Sequence, residues 1–115
     1  MKCLLILTTP PFGSKNTFLG IKKAVELIEN KNEVTIFLYS DGVYNALSEI
    51  SPTEKEFNPL SLLENFSKIG GKILFCTSAG ARRGVSKNNI ANFVQESSLA
   101  EASFLVSSSD LVLSY

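Results

Sequence analysis

The sequence predicts an α/β protein: a three-layer α/β/α sandwich around a mainly parallel sheet of four to five strands. Two observations carry that expectation. Short apolar runs stand at Lys2–Thr8, Val34–Tyr39 and Ile73–Phe75, as strands covered by helices on both faces require. The first two are separated by apolar residues at helical spacing, so strand, helix and strand follow within about forty residues. Such a βαβ unit has parallel strands and a right-handed crossover. With 115 residues the chain has the length of a single domain, residues 1–115.

Lys2–Thr8 is the first strand. Pro10 and Pro11 end it, because proline has no amide hydrogen to offer a ladder. A helix then runs from the Ser14–Thr17 region to about Asn30, with Ser14 read as a cap. Phe18, Ile21, Val25 and Ile28, with Ala24 and Leu27, form its inner face; Lys22, Lys23, Glu26 and Glu29 form the outer one. Val34–Tyr39, rich in β-branched and aromatic residues, is the second strand and stops at Ser40-Asp41-Gly42. Residues 42–47 continue that loop or open a short helix, and residues 50–58 read as a surface excursion.

Asn58 and Pro59 are a cap and a first helical residue. Leu60, Leu63, Phe66 and Ile69 make the buried stripe of that helix, and Gly70-Gly71 ends it. The strand leading to Cys76 follows. From Gly84 to Glu96 the pattern is ambiguous, with Ile90, Phe93 and Val94 permitting a short helix. Ser98-Leu99-Ala100-Glu101 is a capping box that opens a helix with Leu99, Ala102, Leu105 and Val106 as its stripe. Three serines break it, and Asp110–Tyr115 is the last strand. The loops after the first three strands leave the same edge of the sheet, which places the second and third to wall one pocket.

Composition narrows the function. Eleven basic and eleven acidic residues cancel, so neither a nucleic-acid footprint nor a basic membrane surface is indicated. No segment approaches the roughly 18 apolar residues of a membrane span, and the short apolar start is cut by Pro10-Pro11, as in a strand rather than a signal peptide. Cytoplasm is the default compartment. Cys3 and Cys76 lie in apolar strand-like runs, which argues against a disulfide framework. The chain has no histidine, which excludes a Ser-His-Asp triad, a Cys-His dyad and any His-ligated zinc within one chain. No metal site is expected.

Chemistry concentrates between Gly70 and Val85. Cys76 stands where its apolar run stops, at the carboxyl end of a strand, the place where open α/β sheets carry their ligands. Arg82 and Arg83 follow; positive charge near a thiol stabilises the thiolate, and either guanidinium is also suited to a partner's carboxylates. Adjacent residues face different ways, so at most one points at the sulfur. The bland alternatives are a core cysteine and an exposed basic turn.

These motifs resemble the DsrE/TusD group of sulfur-relay proteins, the DsrE/DsrF-like family, over essentially the whole chain. The resemblance rests on Pro10-Pro11-Phe12-Gly13-Ser14, on Asp41-Gly42-Val43-Tyr44-Asn45-Ala46, and above all on Cys76-Thr77-Ser78-Ala79-Gly80-Ala81-Arg82-Arg83-Gly84-Val85. It implies that Cys76 takes up sulfane sulfur as a persulfide and yields it to an acceptor thiol, with donor and acceptor proteins as partners. It also implies a homo-oligomer, trimers and hexamers being typical of the group. Thiol exchange depends on thiolate fraction and access, so no cofactor is called for.

A carrier thiol needs exposure, thiolate character and an apolar wall. Asp41, Tyr44, Thr77, Gly80 and Gly84 are placed to line its pocket, and the amides of Thr77–Gly80 to form an anion nest. Against those roles, Asp41 is a turn former, Tyr44 a core residue, and the two glycines serve backbone geometry. The rival function is a non-catalytic assembly or regulatory subunit of a sulfur-relay complex. A nucleotide-binding module is the weaker third, since no GxGxxG or GKS/GKT loop occurs.

Overall fold

The computed structural model of the chain describes residues 1–12, 14–49 and 58–115. In order, the elements are β1 (Lys2–Leu7), α1 (Asn16–Glu29), β2 (Glu33–Leu38), a 3-10 helix (Ser40–Ala46), α2 (Pro59–Lys68), β3 (Lys72–Cys76), α3 (Thr77–Ala81), β4 (Val94–Ser97), α4 (Leu99–Ser108) and β5 (Leu111–Ser114). The five strands are all parallel, in the order β4-β3-β2-β1-β5. The α/β expectation holds. The excursion read over residues 50–58 falls, save for Asn58, outside the described residues.

Topology assigns the layers. From β1 the chain steps outward through β2 and β3 to β4, then crosses back over the sheet to β5 at the opposite edge. Right-handed crossovers therefore put α1 and α2 on one face and α4 on the other. Side chains agree: Leu7 lies beneath Gly20 of α1, whereas Lys2, of opposite parity, holds its ammonium 6.0 Å from the Phe104 ring of α4. Registers Leu5–Ile36–Ile73 and Leu7–Leu38–Phe75 build the α1 side of the core, and Phe37 and Leu74 the other side. By the same alternation Cys76 falls on the α4 side, at the carboxyl edge of the sheet.

The cap signals read from sequence are realised at α2 and α4. The Asn58 side chain accepts from the amides of Leu60 and Ser61, and the Ser98 hydroxyl accepts from that of Glu101. Five expectations need correction. Ser14 is not the cap of α1, whose N-cap is Lys15 with no side-chain cap bond; its Oγ accepts from the Asn16 amide at 3.1 Å. Residues 94–97 form a parallel edge strand against β3, where a short helix was permitted. The buried face of α1 runs through Thr17, Gly20, Ile21, Ala24 and Leu27; Phe18 lies outside it, 40% exposed, and Val25 and Ile28 are half-buried. Ile69 is exposed, because α2 ends one residue before it. No residue of α4 is fully buried: Leu99 and Val106 face out, since among the described residues α4 is the only helix that topology places on its face of the sheet.

The loop after β2 turns back tightly onto β1. Leu7 O accepts the Tyr39 amide at 3.0 Å, and a Cβ built on Gly42 would stand 1.9 Å from that same oxygen. Gly42→Ala must push the 3-10 helix away from β1. We expect a loss of about 1–3 kcal/mol, read as a lower urea midpoint; a midpoint equal to wild type would refute the close approach.

Candidate functional site

The carboxyl edge of the sheet gathers the loops after β2 and β3 and the amino end of α4. They enclose a cleft of about 200 Å³ lined by Tyr39, Ser40, Ser78, Ala79, Arg82, Arg83 and Leu99. The expectation that the second and third loops wall one pocket is met. Leu99 is an addition, and its signal was already in the sequence. The Ser98 capping box fixes where α4 begins, and a helix following a parallel strand must begin at the carboxyl edge.

Cys76 ends β3 beneath this cleft. Its Sγ lies 3.2 Å from Ser78 Oγ, and Ser78 in turn lines the cleft, so the sulfur touches a residue of the cleft wall. In the single chain Cys76 is 0% exposed. The open thiol that a carrier calls for is therefore not what the resting chain presents. The reason is local: α3 starts at Thr77 with no intervening loop, so its first turn adjoins the strand end and Ser78 touches the sulfur. Cys3 and Cys76 are both free and buried, with no disulfide between them.

Arg83 is committed elsewhere than to the sulfur. Its Nε donates to Asp41 Oδ1 at 2.9 Å, Nη1 donates to Ala79 O at 3.0 Å, and Nη2 reaches Ser40 Oγ at 3.5 Å. Arg82 is exposed at the mouth of the cleft. The two arginines thus diverge, as adjacent residues do. Ser40 holds φ of 53°, a left-handed conformation that a residue with a side chain rarely adopts.

The remaining candidates scatter around this centre. Thr77 Oγ1 donates to Ser97 O at 3.1 Å and ties the start of α3 to the end of β4. Gly80 is buried where a Cβ would come within 2.5 Å of Val85 O, and Gly84 takes a φ of 73°. Both glycines are explained by backbone geometry. Tyr44 is half-buried against the core and is not among the residues lining the cleft. Ser97 Oγ bonds to Glu101 Oε1 on α4, a contact the sequence did not suggest. Among the described residues no group of three histidine, cysteine, aspartate or glutamate side chains could hold a metal ion.

The family model for the DsrE/DsrF-like family matches residues 1–115. The chain belongs to the DsrE/DsrF-like family. Among relatives of known sequence, an uncharacterized protein of Methanocaldococcus jannaschii is 28% identical over the full length of both chains. The sulfurtransferase TusD of Buchnera aphidicola is also 28% identical, again with full coverage of both chains. Among solved structures, the ychN protein of E. coli superimposes with a TM-score of 0.91 at 26% identity, covering both chains completely. The fold is thus common to this chain and that structure.

Proposed function

We propose that the chain is a sulfur carrier of a relay and that Cys76 holds the sulfur in transit. The thiolate of Cys76 attacks the outer sulfur of a donor persulfide, R–S–SH. A sulfur–sulfur bond forms to Cys76 as the donor's bond breaks, leaving Cys76–S–SH and R–S⁻. An acceptor thiolate then attacks the same outer sulfur, and Cys76–S⁻ departs. No net oxidation occurs, and no histidine is needed when the attacking groups are thiolates. Placement carries this reading: a cysteine ends a parallel strand at the carboxyl edge, one hydroxyl beneath a cleft. Membership of the DsrE/DsrF-like family and the TusD relatives support a sulfur-relay role.

In this reading Arg82 faces the donor and acceptor proteins at the mouth of the cleft, and the protein works in the cytoplasm. Among the described residues no helix is long and apolar enough to cross a membrane. The reading includes self-association, as trimers or hexamers. Support comes from exposed apolar side chains, Leu99, Phe104 and Val106 of α4 and Val112 of the edge strand β5. Sedimentation at micromolar concentration is expected to show a species heavier than the 12.5 kDa chain.

Intact-mass spectrometry after incubation with a low-molecular-weight persulfide tests the chemistry. A gain of one sulfur atom, reversed by a reducing thiol, is expected; no gain at any pH up to 9 would overturn it. The complete burial of Cys76 favours one rival, an assembly subunit whose cysteine is inert. That rival predicts no reaction of folded chain with persulfide and an unchanged oligomer in Cys76→Ser.

A further inference from the structure

The carrier reading leaves a buried thiol to be explained. We propose that Arg83 and Asp41 are positioning residues that strap the first turn of α3 down over Cys76, so that the thiol is reached only when this strap is released. The inference rests on the assignment of Cys76 in the preceding section and concerns what controls access to it.

Three contacts converge. Ser78, a residue of the first turn of α3 that lines the cleft, touches the sulfur, with its Oγ 3.2 Å from Sγ. The carbonyl of the next residue, Ala79, accepts from Arg83 Nη1 at 3.0 Å, which holds that turn in place. The guanidinium is anchored on the loop after β2 by Asp41, through Nε at 2.9 Å, and by Ser40, which lines the cleft. One side chain thus bridges the loop after β2 and the cover of the thiol. Its anchor is breakable: the Asp41 side chain is 55% exposed, so a competing carboxylate from a docking protein can reach the pair. The anchor also reaches a strained point, since Ser40 sits in the left-handed region. α3 has only five residues and opens without unravelling a long helix.

The chain carries its own control. Cys3 is a second free cysteine, 1% exposed in the middle of the sheet and far along the chain from the strap. A general loosening exposes both thiols; release of the strap exposes Cys76 alone. The test is alkylation of the full chain by the neutral reagent iodoacetamide, resolved by peptide mass spectrometry. In Asp41→Asn and Arg83→Ala, Cys76 is expected to label about tenfold faster than in wild type, the rate equivalent of 1.4 kcal/mol of lost closure. Cys3 labelling stays at the wild-type rate. An unchanged Cys76 rate in Asp41→Asn overturns the proposal, and so do rates that rise together at both cysteines. Asp41→Asn keeps size and shape at an exposed position, so it decides the matter if Arg83→Ala does not fold. Alkylation needs only a thiol. A chain that labels as expected yet gains no sulfur would remove the carrier reading and leave the strap, and the reverse result would do the opposite.

Discussion

Cys76→Ser is expected to abolish the sulfur gain of the intact chain, and Cys3→Ser to leave it at the wild-type level. The two residues make a matched pair, because both are buried free thiols in parallel strands of one sheet. What differs is position. Cys3 is paired on both sides, to Val34 and to Leu111, at the second residue of β1, toward the amino edge of the sheet. Cys76 is the last residue of β3 and touches a residue of the cleft. A serine at 76 keeps a polar contact with Ser78 but offers a hydroxyl with no base to ionise it, since the chain contains no histidine. Sulfur gain by the Cys76→Ser chain, or an equal loss from both variants, would take the chemistry away from the carboxyl edge altogether.

Much of this architecture was readable from residue order, and the misreadings share a cause. β1, β2 and β3 are continuous apolar runs because each is covered on both faces, and burial of that kind leaves an unmistakable pattern. β4 is an edge strand four residues long whose Gln95 and Glu96 are exposed, so its sequence carries almost no apolar signal. Its pairing with β3 and the Thr77 bond to Ser97 make it a strand. On α1, counting large apolar residues pulled the expected face toward Phe18. The true stripe passes through Thr17, whose hydroxyl bonds to the loop after β1, and Gly20, whose small size lets Tyr115 and Leu7 approach. At the site, the motif from Cys76 to Gly84 was legible as a unit. Which arginine faces what was not, because the partner of Arg83 lies forty-two residues away on another loop. Nor could spacing reveal that α3 begins immediately after the cysteine and sets Ser78 against the sulfur.

Phe75→Ala is expected to have the largest effect on stability and to separate the strap from the floor beneath it. Phe75 is 0% exposed, pairs in register with Leu38, and lies with its ring 3.0 Å from where a Cβ on Gly80 would sit. Gly80 has no side chain with which to fill the space, and the backbone of α3 rests on the ring. Removing the ring costs its transfer free energy plus a cavity that cannot fully collapse, about 3–5 kcal/mol. Against a total of about 5–15 kcal/mol for a domain of this kind, that is a large share. A thermal midpoint lower by roughly 10–20 °C follows, and urea unfolding gives the free energy directly. In contrast to Asp41→Asn, this variant weakens the sheet as well as the cover, so both Cys3 and Cys76 are expected to label faster. A loss below about 1 kcal/mol would place the ring at the surface rather than in the core. If Cys76 alone labelled faster, Phe75 would belong to the cover of the thiol and not to the sheet that carries it.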